Sequence, residues 1–370
     1  MTLEQLTSNL ISYPTYTGNT QGLTDCADFI ISYILKQLPH DKATIVWNNN
    51  IPSVFVRSKD TMEVDITLHG HIDVVKREES GQFNARIEGD KLYGRGSGDM
   101  KGADSVLIET YLWIRQNYPD ITVALLLGGD EESGGFHGTL PLVKQGLSTK
   151  ILINLDGGYG EKITLGEKGI LSLKLTCDGE QNLVTYPWRG ASAFDNLRKA
   201  IQVIEKQFTE LDKVSEEDNW HSTFAIKYVS TPPEGASTTP NKAELTGTLC
   251  YVEDISCKEH FAKIQDAVQE YGQLELQFSA EPVVISENSE AIRLFSEAFL
   301  EVNGEVDYVR ENGSSDARFF GSQAQHILIS KPIGGNIEID DEWVSISSLH
   351  RLFEIIKRTV TKSVESHIFE

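Results

Sequence analysis

The stretch from Leu125 to Gly135, Leu-Leu-Leu-Gly-Gly-Asp-Glu-Glu-Ser-Gly-Gly, constrains this chain more than any other. Its apolar run reads as a buried strand. It delivers three adjacent carboxylates, Asp130, Glu131 and Glu132, to a glycine-rich end where little side-chain bulk would hinder an ion or a substrate. The design recurs: Val64 to Leu68 runs into His69-Gly-His-Ile-Asp73, and Ile151 to Leu155 ends at Asp156. A lone acidic loop is most simply a solvated one. Several such strand ends in one chain give each of them weight.

The rest of the pattern supplies helices between these strands. Thr2 and Gln5 form a capping box ahead of the stripe Leu3, Leu6, Leu10 and Ile11, and Ala27 to Leu38 keeps helical periodicity up to Pro39. Strands are expected at 43–47 and 53–56, a hairpin around Glu88-Gly-Asp90, and a glycine-dense loop from Tyr93 to Gly102 that leads into a helix over 103–117. Apolar strands alternating with amphipathic helices predict a three-layer α/β/α domain whose ligands sit at strand carboxyl ends.

From Gly169 the character changes. A strand at 171–176, a helix at 194–208, strands at 222–229 and 243–252, a helix at 258–271 and a strand at 273–278 give the order βαββαβ, a ferredoxin-like pattern. At 370 residues the chain exceeds what one core serves. The expectation is therefore a first domain split into 1–168 and 282–370, with a smaller domain, 169–281, inserted in it. A long helix at 289–302, a loop at 311–318, a strand at 326–330 and a closing helix from 347 complete the larger one.

Composition narrows the function. A net charge of -22 with no basic stripe argues against nucleic acid and anionic membranes. No apolar run approaches a membrane span and no secretory leader is visible, so cytoplasm is the default location. Four cysteines without metal-knuckle spacing read as reduced thiols.

Four loops carry metal-competent side chains: His71 with Asp73, Asp99, Glu131 with Glu132, and Asp156. One imidazole with several carboxylates suits zinc or a neighbouring first-row ion, and so much carboxylate suits two ions sharing a bridge. Asp73, two residues beyond His71 on an extended segment, could accept the imidazole proton not facing the ion. The chemistry implied is hydrolysis of a carbonyl compound by metal-activated water.

These stretches, Gly70 to Val75, Gly94 to Gly102, Asp130 to Gly134 and Asp156, together with Ser315 to Phe319 and Asp341 to Ile346, resemble a known family. It is that of the co-catalytic zinc peptidases and deacylases, which includes succinyl-diaminopimelate desuccinylase, acetylornithine deacetylase, carboxypeptidase G and the aminoacylases. The resemblance implies two zinc ions, with cobalt or manganese as alternatives. His71 and Asp156 would hold one, Glu132 the other, and Asp99 would bridge them. Glu131 would be the general base, Asp73 would orient His71, and Ser315, Asp316 and Arg318 would contact substrate. It also implies attack of metal-bound water on the amide of a small N-acyl amino acid or dipeptide, with carboxypeptidase and deacylase chemistry equally served. A homodimer formed through the smaller domain is expected as well.

The chain departs from the family pattern at three places. Glu338 stands where the last histidine ligand of the second metal is usual, with Asp340 as the fallback ligand. Leu183 stands where a histidine reaches a partner's site, and His221 is the nearest substitute in that domain. In Gly235 to Pro240 and Thr248 to Tyr251, Ser237 and Cys250 replace an asparagine and an arginine. These departures leave one rival reading, a catalytically impaired relative that binds a metal or a metabolite.

Overall fold

The computed structural model of the chain describes residues 1–76, 81–158, 160–231 and 237–370. They divide into two units, the first comprising Met1–Leu165, Ile285–Val309 and Ser315–Glu370, the second Gly166–Val284 and Arg310–Ser314. The fold is mixed α/β.

The first unit is built on a mixed sheet. Its middle is four parallel strands in the order Val123–Gly128, Glu63–His71, Ser148–Asn154 and Ala324–Ile329. Antiparallel neighbours flank them, Ile51–Arg57 with Lys42–Asn48 on one side and Ile163–Glu167 on the other. Side chains alternate across a strand. Val123, Leu125 and Leu127 therefore enter one core with Ile66, Leu68, Val106, Leu352 and Ile356, under the helices Gly102–Asn117 and Ile346–Glu365. On the opposite face His69 meets Thr139 and Phe320, from the short helix Thr139–Lys144 and the turn Asp316–Gln323. All four parallel strands deliver their carboxyl ends to the same edge, so the residues just past His71, Gly128, Asn154 and Ile329 are gathered there.

The second unit contains four antiparallel strands in the order Thr223–Ser230, Lys242–Tyr251, Gly169–Asp178 and Gln273–Ala280. Leu171, Leu173 and Leu175 face the helices Ala193–Phe208 and Cys257–Val268, and their core includes Leu197, Ile204, Leu245 and Ile264. Ile226, Tyr228 and Val229 are exposed on the edge strand Thr223–Ser230.

Some elements escaped the sequence pattern. The strands Ile163–Glu167 and Tyr308–Glu311 are short and lack a distinctive period. Trp343–Ser345 is a strand because it pairs with Lys91–Tyr93, some 250 residues away, which no local signal encodes. All four cysteines are free. No helix among the described residues is long and apolar enough to cross a membrane.

Candidate metal centre

His71 closes its strand with its ring 1% exposed. Its Nδ1 lies 3.1 Å from the backbone oxygen of Asp73 and 3.4 Å from that residue's carboxylate. The orienting partner is thus first the Asp73 carbonyl. The Asp73 carboxylate works mainly on the acidic turn, accepting the Glu131 and Glu132 backbone N–H groups, each at 3.1 Å.

His71 Nε2 lies 3.2 Å from Asp99 Oδ1 and 3.9 Å from Asp156 Oδ1. Burial opposes a charge on the imidazole, but hydrogen bonds with Asp73 and Asp99 and the charge of Asp156 outweigh it and raise its pKa well above 6.5. Asp156 is set by Asn154, whose Oδ1 accepts its N–H at 2.7 Å while Nδ2 contacts His69 at 2.9 Å.

Asp99 sits in the glycine-dense loop, and its peptide bond to Met100 is cis. One buried carboxylate shapes this loop. Glu342 Oε1 accepts the N–H groups of Gly98 and Asp99, both at 2.9 Å, while Oε2 accepts Gly96 N–H at 3.0 Å and Arg95 Nη1 at 2.5 Å. Burial would raise the Asp99 carboxyl, but the ammonium of Lys331 and the contact with His71 hold it down at about 2.

Glu131 lies beside His71 and Asp156: one donor atom from each of the three falls within 4.8 Å of the others. Burial, and then the charge of Asp156, push the Glu131 carboxyl well above its ordinary range. Glu132 is pushed up to about 9, by burial first, with Asp99, Asp73 and Glu338 adding to it against His71. Glu338 is exposed, on a turn where it adopts φ 60, and its charge is felt at Glu132. This donor set fits a divalent cation: a buried imidazole and several partly buried carboxylates supply the nitrogen and oxygen donors that such an ion takes.

Asp130 is a loop brace, its oxygens accepting His137 N–H at 2.9 Å and Gly138 N–H at 2.7 Å. Ser315 and Asp316 are buried, and Arg318, with a side chain 3% exposed, reaches Asp316 Oδ1 at 3.1 Å and Glu131 Oε1 at 4.0 Å. It also donates to the Gly134 carbonyl at 2.8 Å, so its guanidinium braces the acidic turn. Gly135, at φ 66, is the one residue type that fits here, since an added Cβ would lie 2.0 Å from Asp316.

In the second unit His221 is held between Glu210 and Asp218, each at 3.2 Å. Leu183 is half exposed and bridges Thr238, and Cys250 is partly buried with the charge of Lys168 nearby. Gly235 and Ala236 of the departing stretch lie outside the described residues.

Sequence reasoning overlooked Lys331, whose Nζ lies 3.9 Å from Asp99 Oδ2. The signal was available: it is the second residue past the fourth parallel strand, the kind of position that pointed to the other three strand ends.

Residues 67–362 match the family described as Peptidase family M20/M25/M40. Succinyl-diaminopimelate desuccinylase of Helicobacter pylori is 26% identical over 381 residues, covering 95% of this chain and 96% of the relative. That of Hydrogenovibrio crunogenus is 26% identical over 380 residues, covering 96% and 97%. Among solved structures, an M20 family metallo-carboxypeptidase from Sulfolobus solfataricus superposes with a TM-score of 0.74 at 17% identity, covering 95% of this chain and 97% of that one. Aminopeptidase PepT from Bacillus cereus gives 0.73 at 14% identity, with 96% of each chain covered. The family match spans most of the sequence, so the chain belongs to peptidase family M20/M25/M40 and is a metal-dependent hydrolase of amide bonds.

Proposed function

We propose that the chain hydrolyses the amide bond of a small N-acyl amino acid or dipeptide, with Glu131 as the group that moves the proton. The observation that carries this reading is the Glu131 carboxyl beside His71 and Asp156, where acid/base work and ion binding meet. Two divalent ions, zinc with cobalt or manganese as alternatives, would be held by His71 and Asp156 on one side and Glu132 and Glu338 on the other, with Asp99 shared between them. When bound they supply Lewis acidity toward the carbonyl and acidify water.

The chain's own residues do the remainder. Glu131 takes the proton of the attacking water and returns it to the leaving amine, a two-way use open to one carboxylate in a site partly shielded from solvent. Asp73 fixes the backbone from which Glu131 and Glu132 project, and Arg318 holds the turn from the other side. Ser315 and Asp316 stand behind that turn, where substrate selection would be felt through Arg318. Relatives named as desuccinylases support the N-acyl side of the reading.

The test is a panel of N-acyl amino acids and dipeptides assayed before and after chelation. Turnover of at least one class is expected, abolished by chelator and restored by zinc, manganese or cobalt. A metal-loaded protein that hydrolyses nothing in the panel would overturn this reading of its substrate.

We also propose a two-fold homodimer through the second unit. Its edge strand Thr223–Ser230 leaves Ile226, Tyr228 and Val229 exposed, and an unpaired sheet edge is a ready pairing surface. Light scattering at micromolar concentration should give twice the chain mass, and Ile226→Lys should shift it to the monomer. A monomeric wild type would sink this.

A further inference from the structure

His69 and Asn154 stand directly opposite each other on the neighbouring parallel strands Glu63–His71 and Ser148–Asn154. They point away from the core that takes Ile66, Leu68, Ile151 and Ile153. Both are buried, with 1% and 0% of their surface exposed. Buried polar side chains need partners, and here the partners form a row. Asn154 Oδ1 accepts the Asp156 N–H at 2.7 Å, Asn154 Nδ2 meets His69 Nδ1 at 2.9 Å, and His69 Nε2 meets Thr139 Oγ1 at 3.0 Å.

The row runs in one direction. A backbone N–H can only donate, so the Asn154 atom facing Asp156 is its carbonyl oxygen, and its amide nitrogen is turned to His69. That nitrogen can only donate as well, so His69 Nδ1 carries no hydrogen and accepts. The ring hydrogen is then on Nε2, which donates to the Thr139 hydroxyl. A hydrogen on Nδ1 would set two donors face to face. Turning the Asn154 amide to relieve that would set its nitrogen against the Asp156 N–H instead.

We propose that His69 is a positioning residue for Asp156: with its hydrogen on Nε2 it fixes the Asn154 amide, and that amide fixes the backbone from which the Asp156 carboxylate serves the metal centre. This rests on Asp156 being a ligand of the centre proposed above. Asp156 lies past the end of its strand, and its N–H is held by the Asn154 side chain, two residues earlier, in place of a strand partner. The far end of the row is anchored too. Thr139 opens the helix Thr139–Lys144, and Gly138 just before it donates its N–H to Asp130 Oδ1 at 2.7 Å. Asp130 adjoins Glu131, so the row ties Asp156 to the turn that bears Glu131, and these are two of the three residues whose donor atoms gather at the site. Phe320 packs edge-on against the imidazole, with ring centroids 5.4 Å apart, and a bond lost in so buried a place is not replaced by water.

Two substitutions separate positioning from packing. His69→Asn puts a carbonyl oxygen within reach of the Nδ1 position and gives up the contact with Thr139. His69→Gln, closer to histidine in volume, puts an amide nitrogen within reach of the Nε2 position and gives up the acceptor that Asn154 needs. Zinc affinity is measured on the full chain, stripped of metal, by competition with a chromophoric chelator. It is expected to fall by about tenfold or more in His69→Gln and to stay within about threefold of wild type in His69→Asn. Filling of space alone would give the reverse order. Magnetic resonance spectra that correlate ring nitrogens with ring protons, on protein labelled at histidine, should show the His69 hydrogen on Nε2, with the signal assigned by its loss in His69→Asn or His69→Gln. A hydrogen on Nδ1, or a His69→Gln that binds zinc as tightly as His69→Asn does, would overturn the inference and leave the metal centre standing. A wild type that binds no zinc would overturn the centre and the inference with it. The wild-type spectrum still tests the row if one variant fails to fold.

Discussion

Glu131→Gln is expected to lower kcat by about 10²- to 10⁴-fold on any substrate the panel identifies, while the protein keeps its metal. Glutamine matches glutamate in shape and leaves the Glu131 N–H bond to Asp73 intact, but its amide cannot accept the proton. The substitution is informative because two roles compete for this residue. Its carboxyl lies close enough to His71 and Asp156 to serve as a ligand. Loss of rate with metal retained supports the proton-transfer role, and loss of rate together with metal supports ligation. A variant as fast as wild type would remove Glu131 from the chemistry altogether. Kinetics and elemental analysis on the same preparation separate the three outcomes.

The fold was legible where strand and helix periods are strong and local. The run 64–68 alternates cleanly and the runs 121–127 and 151–155 are apolar but for Thr122 and Asn154, and each falls on a central strand. What escaped is non-local. Trp343–Ser345 exists through its pairing with Lys91–Tyr93, and its helical successor begins at once, so neither period has room to show. The site divides the same way. His71, Glu131 and Asp156 lie at strand ends that the sequence marks with glycine and acid, and the structure brings their donor atoms together. Lys331 lies at an equivalent end but carries the opposite charge, so a search for ligands passes over it. The partners of Glu342 are likewise invisible in sequence, since they are backbone N–H groups about 240 residues away. Arg318, read as a substrate contact, has its guanidinium engaged by Asp316 and the Gly134 carbonyl, and any contact with substrate must come alongside that bracing.

Glu342 is the residue on which the loop bearing Asp99 depends, although it touches no candidate ligand through its side chain except at the Asp99 backbone. Removing it by Glu342→Ala leaves the Arg95 guanidinium, whose side chain is 1% exposed, buried without its counter-charge. Breaking one side of a buried ion pair costs about 3–5 kcal/mol. The N–H groups of Gly96, Gly98 and Asp99 lose their acceptor in the same step. The unfolding midpoint of the first unit should fall clearly, and the loop should no longer hold Asp99 toward His71. Glu342→Gln tests positioning more cleanly. It keeps the volume and one acceptor oxygen but replaces the other with a donor that faces either Arg95 or the Gly98 and Asp99 N–H groups. Metal affinity is expected to drop by about tenfold or more with a smaller loss of stability. If both variants unfold at the wild-type midpoint and bind metal as wild type does, Glu342 does not organise the loop, and Asp99 is held by the glycine-rich backbone alone.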